Sequence, residues 1–287
     1  MLRKPTTIDE LDGAIPEENS LLPMEQTVWG NIQAHLELRI FALGSAQVKL
    51  RERTLKSADW TYLKGRELLF YLLCHPPRTK EQIGLALWPD ASPAHLRSNF
   101  RVTLHHLRRA LGRPDWIVFE HEHYAFNRSL AYWFDVEAFE ADLFEGQRLL
   151  ANAPGQPTAV ACRYLERAAN LYHGDFLDEI VTGDWSLLRR EELRTRYQAL
   201  LLTLGRVFFA EGDYARAADA YRRLIAHDGY LEFAHRELMR CYARLGERSQ
   251  ALRHYQALVE RIRVELDAEP DPETTALFEH LRHGEAI

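Results

Sequence analysis

Long hydrophobic runs are missing from this chain of 287 residues: no stretch reaches the roughly eighteen consecutive apolar positions that a membrane-spanning helix requires. The N-terminus lacks both the apolar core of a signal peptide and the composition of a transit peptide, so a cytoplasmic location is expected. Cysteine is scarce. Cys74, Cys162 and Cys241 lie far apart, each inside an apolar helical pattern, which predicts buried free thiols rather than a disulfide framework or a metal site. Also missing are a glycine-rich phosphate loop, a nucleophile elbow and any metal-ligand spacing, and the histidines are scattered. The "EHEHY" stretch places His121 and His123 on one face of a strand, but two histidines without further ligands make no metal centre. Neither an enzyme nor a cofactor is expected.

Charge of one sign is missing locally. The whole chain carries a net charge of -6, yet Leu96 to Arg113, "LRSNFRVTLHHLRRALGR", holds five arginines and two histidines without one acidic residue. Residues 1–35 have 2 basic against 6 acidic side chains, residues 36–135 have 15 against 10, and residues 136–287 have 19 against 26. A basic block between acidic neighbours suggests modules with different partners, the basic one being the candidate for a polyanion.

Three regions follow from the pattern. Residues 1–35, with three prolines and little periodicity, read as an irregular extension without an assigned role. Residues 36–135 begin with alternating runs, "HLELRIFALG" and "AQVKLRERTLK", joined through Gly44 and Ser45, which predict a small antiparallel sheet. Three helices should come next: "GRELLFYLLCH", closed by Pro76 and Pro77; "TKEQIGLALW", with a Thr79/Gln82 capping box; and a third with Ser92 as N-cap and Pro93 in its first turn, stopping at Gly112. "DWIVFE", "YAFN" and "AYWFD" then predict a β-hairpin with a return strand. Sheet, three helices and hairpin, in that order, are the plan of a winged helix with an additional N-terminal sheet. Residues 136–287 are helical, entered by "DVEAFEADLFEGQRLL" and interrupted by "ANAPGQPT". Gly212, Ala217, Tyr221 and Leu224 recur 34 residues later as Gly246, Ala251, Tyr255 and Leu258, the tetratricopeptide period. The expected fold class is therefore mainly α with a small β-sheet: a winged helix-turn-helix domain followed by an all-α tetratricopeptide-like domain. Separable modules are expected, so that residues 36–135 would fold alone.

The basic stretch falls on the third helix. Leu96, Phe100, Leu104, Leu107 and Leu111 occupy about 80° of a helical wheel, and Ser98, Val102, His105 and Arg109 lie opposite. Arg101 flanks that opposite face, with Arg97 and Arg108 nearer its border with the core. The exposed face of such a helix enters the major groove of double-stranded DNA, where its N-terminal half meets base edges and flanking arginines meet phosphates. Thr79 and Lys80, at the start of the second helix, offer a further phosphate contact. The predicted DNA-binding set is Thr79, Lys80, Arg97, Ser98, Arg101, Val102, His105, Arg108 and Arg109.

"GRELLFYLLCHPPRTKEQIGLALWPDASPAHLRSNFRVTLHHLRRALG", "FDVEAFEADL", "GDWSLLRREELR" and the C-terminal stretch through "ELDAEPDPETTALFEHL" resemble, in the right order over about residues 36–284, the bacterial transcriptional activator domain proteins, which include the antibiotic regulatory (SARP-type) activators. The resemblance implies an OmpR-type winged helix, a tetratricopeptide-like activator domain, binding at promoter repeats and contact with RNA polymerase. Whether one chain or a homodimer occupies the DNA is left open by it. Where the family usually has a glycine before the wing tyrosine, this chain has His123 before Tyr124. The competing expectation is a tetratricopeptide adaptor that presents a concave surface to a protein partner and binds no specific DNA.

Overall fold

The computed structural model describes residues 36–152, 159–179 and 183–285; the N-terminal extension and most of "ANAPGQPT" lie outside them. Strands β1 (Leu38–Phe41) and β2 (Gln47–Leu50) form the antiparallel pair that the alternation predicts, and β3 (Arg53–Thr54) extends it. Leu38, Ile40 and Val48 point into the core while the basic residues between them point out. Helix α1 (Leu63–Cys74) is buried along most of its length and ends before the two prolines. Strand β4 (Arg78–Thr79) leads into α2 (Lys80–Leu87), and α3 (Pro93–Ala110) follows. The hairpin β5 (Ile117–Glu120) and β6 (His123–Phe126) is joined by β4 into a three-stranded sheet, a partner too short to be seen in the sequence.

The return strand differs from expectation. β7 (Tyr132–Phe134) leaves the hairpin and pairs parallel with β1, giving a second sheet in the order β3-β2-β1-β7. Its aromatic residues find their partners there: Trp133 packs on Phe41 with ring centroids 5.1 Å apart, and Phe134 is buried. The first and last strands of this half are thus neighbours.

Helices α4 (Asp135–Asn152), α5 (Ala159–Leu171), α6 (Leu187–Ala210), α7 (Tyr214–His227), α8 (Glu232–Arg244), α9 (Arg248–Leu266) and α10 (Pro272–His283) make the remainder. The 34-residue repeat appears in space as equivalent turns. Gly212 and Gly246 both adopt the left-handed conformation that ends one helix before the next, with φ of 81° and 78°. Ala217 and Ala251 are fully buried at the helix crossings. Tyr221 lies so close to Gly205 of α6 that a β-carbon there would stand 2.6 Å from the ring. Small-against-aromatic packing is how each hairpin of helices buries its inner face. The thiols are free: Cys162 and Cys241 are buried and Cys74 half-buried, and burial pushes Cys74 and Cys241 up to about 12.

The two halves share one hydrophobic core. Asp135, the first residue of α4, is buried and accepts backbone hydrogen bonds from Ala42 (2.9 and 2.8 Å) and Leu43 (2.9 Å). Burial pushes its carboxyl up to about 7, with the backbone hydrogen bonds pulling the other way. Residues 42–44 also bond to 173–177 through their main chains, including Leu177 N to Ala42 O at 2.8 Å. On α1, the buried Glu67 accepts from the Gly183 amide and the Trp185 indole, each at 3.1 Å, and Trp185 packs edge-on against Tyr71.

Candidate nucleic-acid interface

Helix α3 is built as its sequence predicts at the N-terminus: the Ser92 hydroxyl accepts from the His95 amide at 3.4 Å and Pro93 occupies the first turn. Leu96, Phe100, Leu104, Leu107 and Leu111 are all buried, so the apolar stripe sets the helix's rotation about its axis. Two glycines set its depth. A β-carbon at Gly84 of α2 would meet the Leu96 side chain at 2.3 Å, and one at Gly65 of α1 would touch the Leu107 backbone at 3.6 Å. Close approach at both crossings presses α3 onto the other two helices and leaves its opposite side to solvent.

That opposite side carries Arg97, Ser98, Arg101, Val102, His105 and Arg109, all exposed. Among the described residues none of these three arginines has a carboxylate partner: the helix holds no acid, and Asp59, which lines a cavity with Arg109, is paired with Arg53. Arg108 is placed differently. It is half-buried and donates to the Ile117 carbonyl of β5 at 2.8 Å, which fixes the root of the hairpin instead of offering charge to solvent. The fifth arginine of the stretch, Arg113, is also engaged: it bonds to Asp115 and Glu37, which hold its guanidinium charged.

At the start of α2 the capping box is present, with the Gln82 amide donating to the Thr79 hydroxyl (3.3 Å) and the Thr79 amide to the Gln82 side chain (3.0 Å). Lys80 lies 3.6 Å from Glu81, so an anion arriving here would compete with a carboxylate on the same turn. Thr79 also pairs with His123 across β4 and β6, which brings this helix start beside the hairpin.

The hairpin turns through His121 and Glu122, both left-handed, with φ of 48° and 64°. Two consecutive left-handed residues define the type I′ turn that matches strand twist, and glycine or asparagine is the usual occupant. Here the Glu120–His123 pair closes it, and the His123 ring lies 2.6 Å from the His121 carbonyl. Sequence reasoning missed Phe119, 54 % exposed on β5 with its ring 4.5 Å from that of Tyr124; its alternation in "DWIVFE" could have revealed it.

The model of the bacterial transcriptional activator domain matches residues 134–282, just over half of the chain. The chain belongs to that family. It is accordingly a transcriptional regulator, and the activator domain is the helical half beginning at the junction of β7 and α4. Among solved structures, that of Mycobacterium tuberculosis EmbR in complex with a low-affinity phosphopeptide is similar, with a TM-score of 0.66 and 19 % identity over 88 % of this chain and 67 % of that one. At that identity the likeness is one of fold: a winged helix ahead of an activator domain. No curated protein matches the chain significantly.

Proposed function

We propose that this member of the activator-domain family is a sequence-specific DNA-binding transcriptional activator, acting in the cytoplasm without catalysis, that binds promoter repeats and contacts RNA polymerase. The unpaired arginine face of α3 carries the reading. A solvated helix face ordinarily interleaves both signs through neighbouring turns, and the energy of holding like charges together is recovered when they meet a polyanion. Residues 36–135 form the DNA-binding module and residues 136–287 the activator module, which the family associates with RNA polymerase.

In this reading Arg101, in the N-terminal half of the exposed face, meets a guanine edge. Arg97 and Arg109 hold phosphates, Ser98, Val102 and His105 line the groove between them, and Thr79 with Lys80 adds a phosphate contact at the start of α2. Arg108 acts through the hairpin root. The test is to select bound sequences from a random duplex pool and titrate variants against them at several salt concentrations. Arg101→Ala should cost about 1–3 kcal/mol and relax preference at one base position, whereas Arg109→Ala should weaken all sequences alike and lower the salt slope by about one. Equal losses on selected and random DNA for Arg101→Ala would overturn its assignment. Absence of any salt-dependent DNA binding would favour the adaptor.

A further inference from the structure

A groove of about 630 Å³ opens where the halves meet, between β7 of the winged-helix half and the first two helices of the activator half. Its apolar lining is Leu130, Ala131 and Tyr132 on and just before β7, Ala138 and Ala141 on α4, and Leu171 on α5. Two alanines three residues apart give α4 a helix face there without a long side chain, which suits the flat of a ring. The volume is that of a small-molecule pocket, for which about 300–1,000 Å³ is usual. A protein segment suits it less: β7 spans only Tyr132–Phe134, fewer than the roughly five or six residues over which a strand ordinarily pairs.

The charges at the groove already have partners. Arg128 lies 3.0 Å from Glu137 and donates to the Leu73 carbonyl at 2.7 Å, Arg167 lies 3.2 Å from Asp142, and the Tyr132 hydroxyl donates to Glu137 at 2.7 Å. Asp142 is buried, and burial pushes its carboxyl up, with Arg167 pulling the other way. A charged ligand would have to break one of these pairs in surroundings that already disfavour charge. Asn170 differs: among the described residues its carboxamide has no hydrogen-bond partner, and it carries both a donor and an acceptor. We propose that this groove binds an uncharged, flat ring compound of the fused-aromatic kind, carrying one carbonyl or hydroxyl group that hydrogen-bonds to Asn170. The ring lies against the Ala138 and Ala141 methyls and the Tyr132 ring, and so bridges the two halves. No residue of the exposed α3 face takes part, so this site stands or falls independently of the DNA-binding reading.

Prodan, a fluorescent uncharged naphthalene with one carbonyl, tests this on the full chain. Its emission should shift to the blue and saturate at one molecule per chain. Ala141→Trp, at an exposed position where the larger side chain occupies the groove, should weaken binding about tenfold. Asn170→Ala, also exposed, should weaken it about threefold to tenfold, the worth of one hydrogen bond. Both variants should keep the circular dichroism and thermal midpoint of the parent. Leu188→Ser, at an apolar position 81 % exposed and outside the groove, should leave binding unchanged. Absence of binding, binding that does not saturate, binding that Ala141→Trp and Asn170→Ala leave intact, or loss through Leu188→Ser would each overturn the proposal. Displacement of prodan by the uncharged peptide acetyl-Thr-Val-Trp-Val-Thr-amide, at lower concentration than prodan itself requires, would assign the groove to a protein segment and overturn it as well.

Discussion

Arg101 and Arg196 sit on comparable helices and differ in what stands across from them. Arg101 projects from α3 without a carboxylate partner among the described residues, whereas Arg196 of α6 is held between Glu140 and Glu192. The contrast extends through both halves. In the helical half Arg189, Arg194, Arg216, Arg236 and Arg240 each face at least one acid, often three or four residues away on the same helix. Such pairs are worth a few tenths of a kcal/mol and leave little net field outside. Exposed arginines without a carboxylate partner occur elsewhere among the described residues, Arg51, Arg244 and Arg253 for instance, but they stand on separate elements, whereas α3 gathers three on one face. Composition alone therefore does not distinguish a binding surface from a soluble one; unpartnered charge gathered on one face does.

The largest effect should come from separating the halves. A fragment of residues 36–135 loses the Glu67 bonds to Gly183 and Trp185, the main-chain bonds of residues 42–44, and contact with the buried Phe176 and Leu177. Each lost large apolar side chain is worth about 1.5–3 kcal/mol, against a total stability of about 5–15 kcal/mol for a domain. The fragment should show no cooperative thermal transition by circular dichroism while the full chain does. A sharp transition in the fragment would restore the autonomy that the sequence suggests.

The arginine contrast is sharpened by Arg196→Ala, which should leave DNA affinity within about twofold of the parent and change stability by less than about 1 kcal/mol. Any loss comparable to that of Arg101→Ala would erase the distinction between the halves.

Acid should act on the helical half first. The His235 and His254 rings face each other with nitrogens 2.8 Å apart, and burial, then the His235 and Arg261 charges, lower His254 to about 4. The unfolded chain takes up a proton near pH 6.5 and the folded chain does not, so stability should fall by about 2 kcal/mol, after allowance for partial exposure, as pH drops from 6.5 to 4. His254→Gln should flatten this slope in denaturant titrations, while Arg101→Ala should not alter it.

The smallest effect belongs to the hairpin tip. Glu122→Gly relieves a left-handed non-glycine residue and should stabilise the chain by about 1 kcal/mol in thermal unfolding.

Local chemistry was legible in the sequence and long-range pairing was not. The Thr79/Gln82 box, the Ser92 cap and the leucine stripe of α3 each need only neighbours within a few turns, and each is present. The parallel β7–β1 pairing joins residues more than ninety positions apart, and the two-residue β4 carries no periodicity to detect. Asp135 reads as an ordinary first-turn acid until the Ala42 and Leu43 amides close on it. Arg108 and Arg109 are adjacent in sequence, and only the position of Ile117 shows that one is engaged.

The buried sulfurs make the chain its own opening gauge. An alkylating reagent reacts with the thiolate, which at pH 7 is about one part in 10⁵ for a group near 12 and rises toward the ordinary few per cent once the surroundings part. Cys74 reports from the end of α1, in the winged-helix half, and Cys241 from the middle of α8. Pulse labelling would therefore time the opening of each half on an unmodified protein, and equal rates at the two cysteines would mean that the halves come apart only together.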